Sequence, residues 1–119
     1  MAAPNIVNVT TITGKTAVLA VTTSATAIVT NSGSSGKVFK INSLIVANID
    51  GTNNADVTVD LFRSSTAYRI ANTVVVPADA TLVVLSKDAS IYLEEGDSLR
   101  LTANANSDLE AVCSYEEIS

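Results

Sequence analysis

The sequence contains no histidine and no tryptophan, one cysteine, two prolines and five glycines. Without His, the side chain that exchanges protons near neutral pH is missing, so a serine nucleophile loses its usual base and zinc its commonest nitrogen ligand. The lone Cys113 has no intrachain disulfide partner, so nothing marks an oxidising compartment, and it reads as a small buried apolar residue. Cations are also scarce: seven Lys and Arg stand against twelve Asp and Glu, for a net charge of −5 and a pI near 4.4. The cations are scattered, and binding phosphate by counterion release needs them clustered, so a nucleic-acid partner is not expected. No apolar run approaches the roughly 18 residues of a membrane span, so no membrane partner is expected either. The opening "MAAPNIVNV" has neither the basic region nor the apolar region of a signal peptide. A soluble protein made in a cytoplasm is the expectation, and the sequon Asn8-Val9-Thr10 then has no route to glycosylation.

Aromatic residues make up 4% of the chain while apolar residues make up 47%, so a core must be built from Val, Ile, Leu and Ala. At 119 residues one domain is expected. Small aliphatic side chains bury little area each, so association is expected to add to the stability of the monomer.

Helical periodicity is absent and period-two alternation recurs. In "ADVTVDLFR", Val57, Val59 and Leu61 oppose Thr58, Asp60 and Phe62. Leu99 and Leu101 alternate with Arg100 and Thr102; Leu109, Ala111, Cys113 and Tyr115 alternate with Glu110, Val112, Ser114 and Glu116. Each segment reads as a strand with one buried face, and the many Val, Ile and Thr residues suit a pleated surface. Turn residues punctuate the chain at 31–36, 50–54, 63–66, 77–80, 86–90, 94–97 and 104–108. The predicted strands lie near 5–13, 17–21, 25–30, 37–49, 55–63, 67–76, 80–86, 90–93, 98–103 and 109–118, a count one or two too high. The stretch 37–49 is long for one strand and is predicted to bend near Asn42-Ser43 and cross between sheets. The fold class is all-β: a two-layer antiparallel β-sandwich, jelly-roll-like, with an immunoglobulin-like sandwich as the alternative. Residues 1–16 are assigned to an N-terminal strand or arm, which pairs in its own sheet or extends onto a neighbouring subunit, and 17–119 to a single sandwich domain.

Three stretches look like chemistry. Gly96-Asp97-Ser98-Leu99 spells the signature of a serine esterase family, but that family places its serine after the first strand of an α/β fold. Here Ser98 follows an apparent turn in an all-β pattern with no base, so it reads as a strand start, with Gly96 free to take positive φ. Glu94 and Glu95 are adjacent and cannot flank one glycosidic bond. "DGTNNAD" offers oxygen ligands at Asp50, Asn53, Asn54 and Asp56 but lacks EF-hand spacing, and reads as a polar hairpin turn. No catalytic residue, metal ligand or cofactor is predicted.

The blocks "GKVFKINSLIVANIDGTNNADVTVDLF", "IYLEEGDSLRLTA" and "DLEAVCSYEEIS", with "NIVNVTTITGKT" before them, resemble the small virion structural proteins of marine tailed bacteriophages, especially those infecting cyanobacteria. The resemblance implies a small β-sandwich present in many copies on the particle and no catalytic residues. The expected role is a capsid decoration or cement protein on the virion head, with a second copy of itself (as a homotrimer) and the major capsid protein as partners. A tail, knob or fibre component contacting the host is the alternative. It is weakened because Tyr68, Tyr92, Tyr115, Phe39 and Phe62 fall mostly on apparent core faces, leaving few aromatics to stack on sugars. The expected contact elements are segment 1–16, with Asn5, Val7, Val9 and Lys15, and loop 31–36, with Ser32, Ser34 and Ser35.

Overall fold

A computed structural model describes residues 4–119. Nine strands follow in order: β1 (Ile12–Ala20), β2 (Thr26–Thr30), β3 (Val38–Asn48), β4 (Ala55–Arg63), β5 (Thr66–Val76), β6 (Thr81–Leu85), β7 (Ile91–Leu93), β8 (Ser98–Ala103) and β9 (Leu109–Ile118). A single 3-10 turn at Lys87–Ala89 separates β6 from β7. Among the described residues no helix is long and apolar enough to cross a membrane.

The strands form two sheets, one ordered β1-β9-β3-β6 with β7 also on β3, the other ordered β2-β8-β4-β5, and all pairings are antiparallel. The pattern is that of one long hairpin. Its arms meet at Ser64-Ser65, β4 pairs with β5, β3 with β6 and β7, β2 with β8, and β1 with β9. Rolling that hairpin adds the β3–β9 and β4–β8 ladders. This is the jelly roll, and it decides against the immunoglobulin-like alternative. Ser64 and Ser65 both take positive φ (51° and 62°), the combination a two-residue hairpin turn demands.

The alternation read from the sequence survives. Val57, Val59, Leu99, Leu101, Leu109, Ala111 and Cys113 are buried between the sheets with Ile41, Leu44 and Val46. Among the described residues one aromatic pair contributes, Phe39 and Tyr115, with ring centroids 5.5 Å apart.

Three expectations need correction. Residues 5–13 are not one strand and 17–21 another; β1 begins at Ile12 and runs straight through Gly14-Lys15-Thr16, the gap between those two predicted strands. Pairing with β9 overrides the local signal, while upstream Asn5 draws the chain into a turn, its Oδ1 accepting from Val7 N (3.0 Å) and its carbonyl from Asn8 N (3.0 Å). Second, β3 stays within one sheet. A bulge does fall between Ile41 and Ser43, but what changes there is the edge partner, β7 on one side and β6 on the other. Third, the 50–54 loop is not a hairpin, because β3 and β4 lie in different sheets.

Candidate assembly surfaces

The end of the molecule that carries the esterase-like letters is a latch. Gly96 takes φ +90°, and the turn closes with Asp97 N donating to Glu94 O (3.0 Å). The Asp97 carboxylate is buried; it accepts from Glu94 N (2.8 Å), from Arg63 Nε (2.7 Å) and from Arg63 Nη2. Burial pushes this carboxyl up, but the Arg63 guanidinium and the Glu94 amide outweigh it and hold it below the ordinary Asp value. The same contacts raise Arg63. Glu94 points outward to Arg63, while Glu95 accepts from Gly36 N (3.0 Å), so the two carboxylates diverge. Ser98 is buried at the start of β8, opposite Thr30 and Phe62.

Loop 31–36 is fastened to that latch. Asn31 is fully buried, and its amide donates to Lys37 O (2.9 Å) and Leu93 O (3.0 Å). Its backbone exchanges bonds with the turn, Asn31 N to Asp97 O (2.9 Å) and Gly96 N to Asn31 O (2.8 Å). Ser35 Oγ donates to Asn31 Oδ1, so Ser35 is committed internally. Ser32 and Ser34 remain exposed at the tip, Ser34 with φ 64°.

In the N-terminal stretch, Asn5 is exposed, Val7 is 91% exposed and Val9 is half-buried. Pro4 and Ile6 line a shallow cleft with Val38, Tyr92 and Glu94. Residues 1–3 of the assigned 1–16 segment lie outside the described residues, and β1 spans the boundary at 16. Lys15 bonds Glu117 (3.0 Å), which raises Lys15, and Glu117 also takes Lys37 (2.6 Å). Those two ammonium groups hold the Glu117 carboxyl below its ordinary value.

The acidic loop spends the oxygens of Asp50 and Asn54 on internal hydrogen bonds. Asp50 accepts from Thr52 N (2.8 Å), Asn53 N (3.3 Å) and Asn53 Nδ2 (3.2 Å), which lowers its carboxyl, and Asn54 Oδ1 accepts from Ala78 N (3.2 Å). The aromatics depart from expectation: Tyr68 and Tyr92 are exposed, and Phe62 sits on the outer face of its sheet beneath Arg100, 3.8 Å from ring centroid to guanidinium.

The outer faces carry residues that the sequence alone did not single out. On the β2-β8-β4-β5 sheet, register aligns Ala27, Arg100, Asp60 and Arg69; the buried Asp60 accepts from both arginines at 3.0 Å. On the opposite sheet, register aligns Val18, Val112, Ile45 and Val83 across β1, β9, β3 and β6, four of its five strands. Val18 is 74% exposed and Val83 59%. Outward positions were readable from alternation, but the alignment of four of them into one row depends on register and long-range pairing.

No family model matches the sequence, and no curated protein does. Among solved structures, the chain is similar to a subunit from work described as "Bacillus endospore appendages form a novel family of disulfide-linked pili", at 17% identity and a TM-score of 0.53, covering 92% of this chain and 88% of that one. It is also similar to a pentameric capsid protein isolated from metagenomic phage sequences, in two structures, at 18% identity and TM-scores of 0.44 and 0.43. Those matches cover 87% of this chain and 62% and 60% of the capsid chain, so this chain spans about three fifths of that protein's length. The appendage comparison supports the sandwich fold.

Proposed function

We propose that this chain is a non-enzymatic structural subunit of a bacteriophage particle, of the cyanophage type its sequence resembles, acting as a decoration or cement protein on the head shell. In this reading its partners are two further copies of itself, as a trimer at local threefold positions, and the major capsid protein. The observation that carries it is the aliphatic row Val18–Val112–Ile45–Val83, which crosses the whole outer face of one sheet where a solitary protein would place polar side chains. The charged groups fit the same role, since Asp97, Glu95 and Glu117 hold loops and strand ends together. The segment 4–11, with Val7 almost fully exposed, and the tip Ser32–Ser34 are the further contact elements.

The test is an averaged electron-microscopy map of whole particles with this chain assigned to density, paired with heat challenge of emptied capsids with and without added protein. Density on the shell and a raised capsid disruption temperature are expected. Density in a tail or fibre, with binding to host cells and no effect on capsids, would replace this reading with the host-contact one.

A further inference from the structure

A jelly roll has open sheet edges, and this one protects them unequally. The β2 edge is five residues long and broken by a bulge between Ala27 and Val29. The β6 and β7 edge is split by the 3-10 turn. The β5 edge is long, but its pairing with β4 shifts register twice, and Thr73 takes φ 48°, a left-handed conformation costly for a β-branched residue. Short length, bulges and bends are the ordinary means of preventing strand addition.

None of these protects β1. It runs nine residues, Ile12–Ala20, with an unbroken register against β9. Among the described residues, no backbone bond from Ile12–Ala20 is made on the side away from β9. Its only charge, Lys15, is already paired with Glu117, so the edge is close to neutral on a molecule of net charge −5. All its side chains are exposed or half-buried, and none is bulky enough to screen the backbone.

We infer that β1 is a two-fold contact, pairing antiparallel with β1 of a second copy so that two sheets become one continuous sheet. The register that uses all nine residues centres on Thr16. Residues 12, 13, 14 and 15 then lie opposite 20, 19, 18 and 17 of the second copy. In this register Lys15 faces Ala17 and no charge faces a like charge, and about eight to ten backbone hydrogen bonds form. A second copy fits better than an unrelated strand because the pairing is isologous: the same unmade bonds are satisfied on both sides by one surface. The inference does not rest on the virion reading; a two-fold contact of this kind would join trimers or other rings into a larger lattice.

Cysteine cross-linking of the full chain tests it, and the buried Cys113 does not compete for reagent. Thr16→Cys is expected to form a covalent dimer with a mild oxidant or a short bis-maleimide, because opposite Cβ atoms lie about 4.5–5.5 Å apart. Ile12→Cys and Ala20→Cys should each remain single alone and cross-link when mixed. Thr16→Asp, at an exposed position, should keep the circular dichroism and melting of the parent monomer while weakening the dimer at least about tenfold by placing two carboxylates face to face. A Thr16→Cys protein that stays monomeric, or Ile12→Cys linking to itself as readily as Thr16→Cys, would overturn the inference.

Discussion

Replacing Arg63 by Met removes the guanidinium that holds the latch and leaves the Asp97 carboxylate in place. That carboxylate has a side chain 2% exposed, whereas Arg63 is 41% exposed, so the two partners are not equivalent. Deleting one partner of a fully buried pair costs about 3–5 kcal/mol. Here the exposed guanidinium is partly screened by solvent, and Glu94 N still donates to Asp97, so a loss of about 2–3 kcal/mol is expected. At roughly 4 °C per kcal/mol for a domain of this size, melting should fall by about 10 °C. The loss should depend on pH. In the parent protein Asp97 titrates below an unfolded carboxyl, so its contribution is present above about pH 4 and fades as pH falls through the lower folded value. In the Met variant only the Glu94 amide opposes burial, so the carboxyl rises relative to the parent and neutralising it relieves the variant. Urea unfolding followed by circular dichroism should therefore show a smaller difference between parent and variant at about pH 3.5 than at pH 7. A loss under about 0.5 kcal/mol at pH 7, or an equal loss at both pH values, would refute the assignment of Asp97 as a buried charge dependent on Arg63.

Asn31→Ala should cost about 2–3 kcal/mol in the same urea assay, because it strips partners from the buried Leu93 carbonyl, the partly buried Lys37 carbonyl and the Ser35 hydroxyl. Leu99→Ala should cost about 2–5 kcal/mol by opening a cavity between the sheets, while Val83→Ala on the outer row should change monomer stability by less than about 0.5 kcal/mol; similar losses for both would contradict the placement of the core. Burial pushes the Cys113 thiol up to about 12, so a thiol reagent should label it only as the protein unfolds, and prompt labelling of the native state at neutral pH would contradict its position.

Where side-chain period and local turn chemistry decide the structure, the sequence was legible. The bounds 55–63, 98–103 and 109–118 read from the alternation coincide with β4, β8 and β9. The positive φ at Gly96 and the turn at Ser64-Ser65 were likewise expected from residue type. Legibility failed where a distant partner decides. Gly14-Lys15-Thr16 fell between two predicted strands, yet β9, about a hundred residues away in the chain, holds it extended within one. The bend at Asn42-Ser43 was visible, but whether β3 changes sheet or only changes neighbour is a matter of topology. Asp60 gave no local sign of burial, because the two arginines that cover it come from β5 and β8. The outer aliphatic row was hidden for the same reason.

The rolled hairpin also orders events in time. Arg63 and Thr66 are opposite each other across two serines, whereas Ile12 meets Ile118, so the first pair closes a minimal loop and the last closes nearly the whole chain. Loop closure grows costlier with separation, by about 0.6 kcal/mol per doubling, so pairing should start at Ser64-Ser65 and travel outward. On the ribosome the seam between β1 and β9 cannot close until residues 109–118 have emerged, and through that interval the strand waiting at the sheet edge has both sides open. The amides of β1 should therefore be the last sheet amides protected during synthesis and, in the monomer, among the first to exchange.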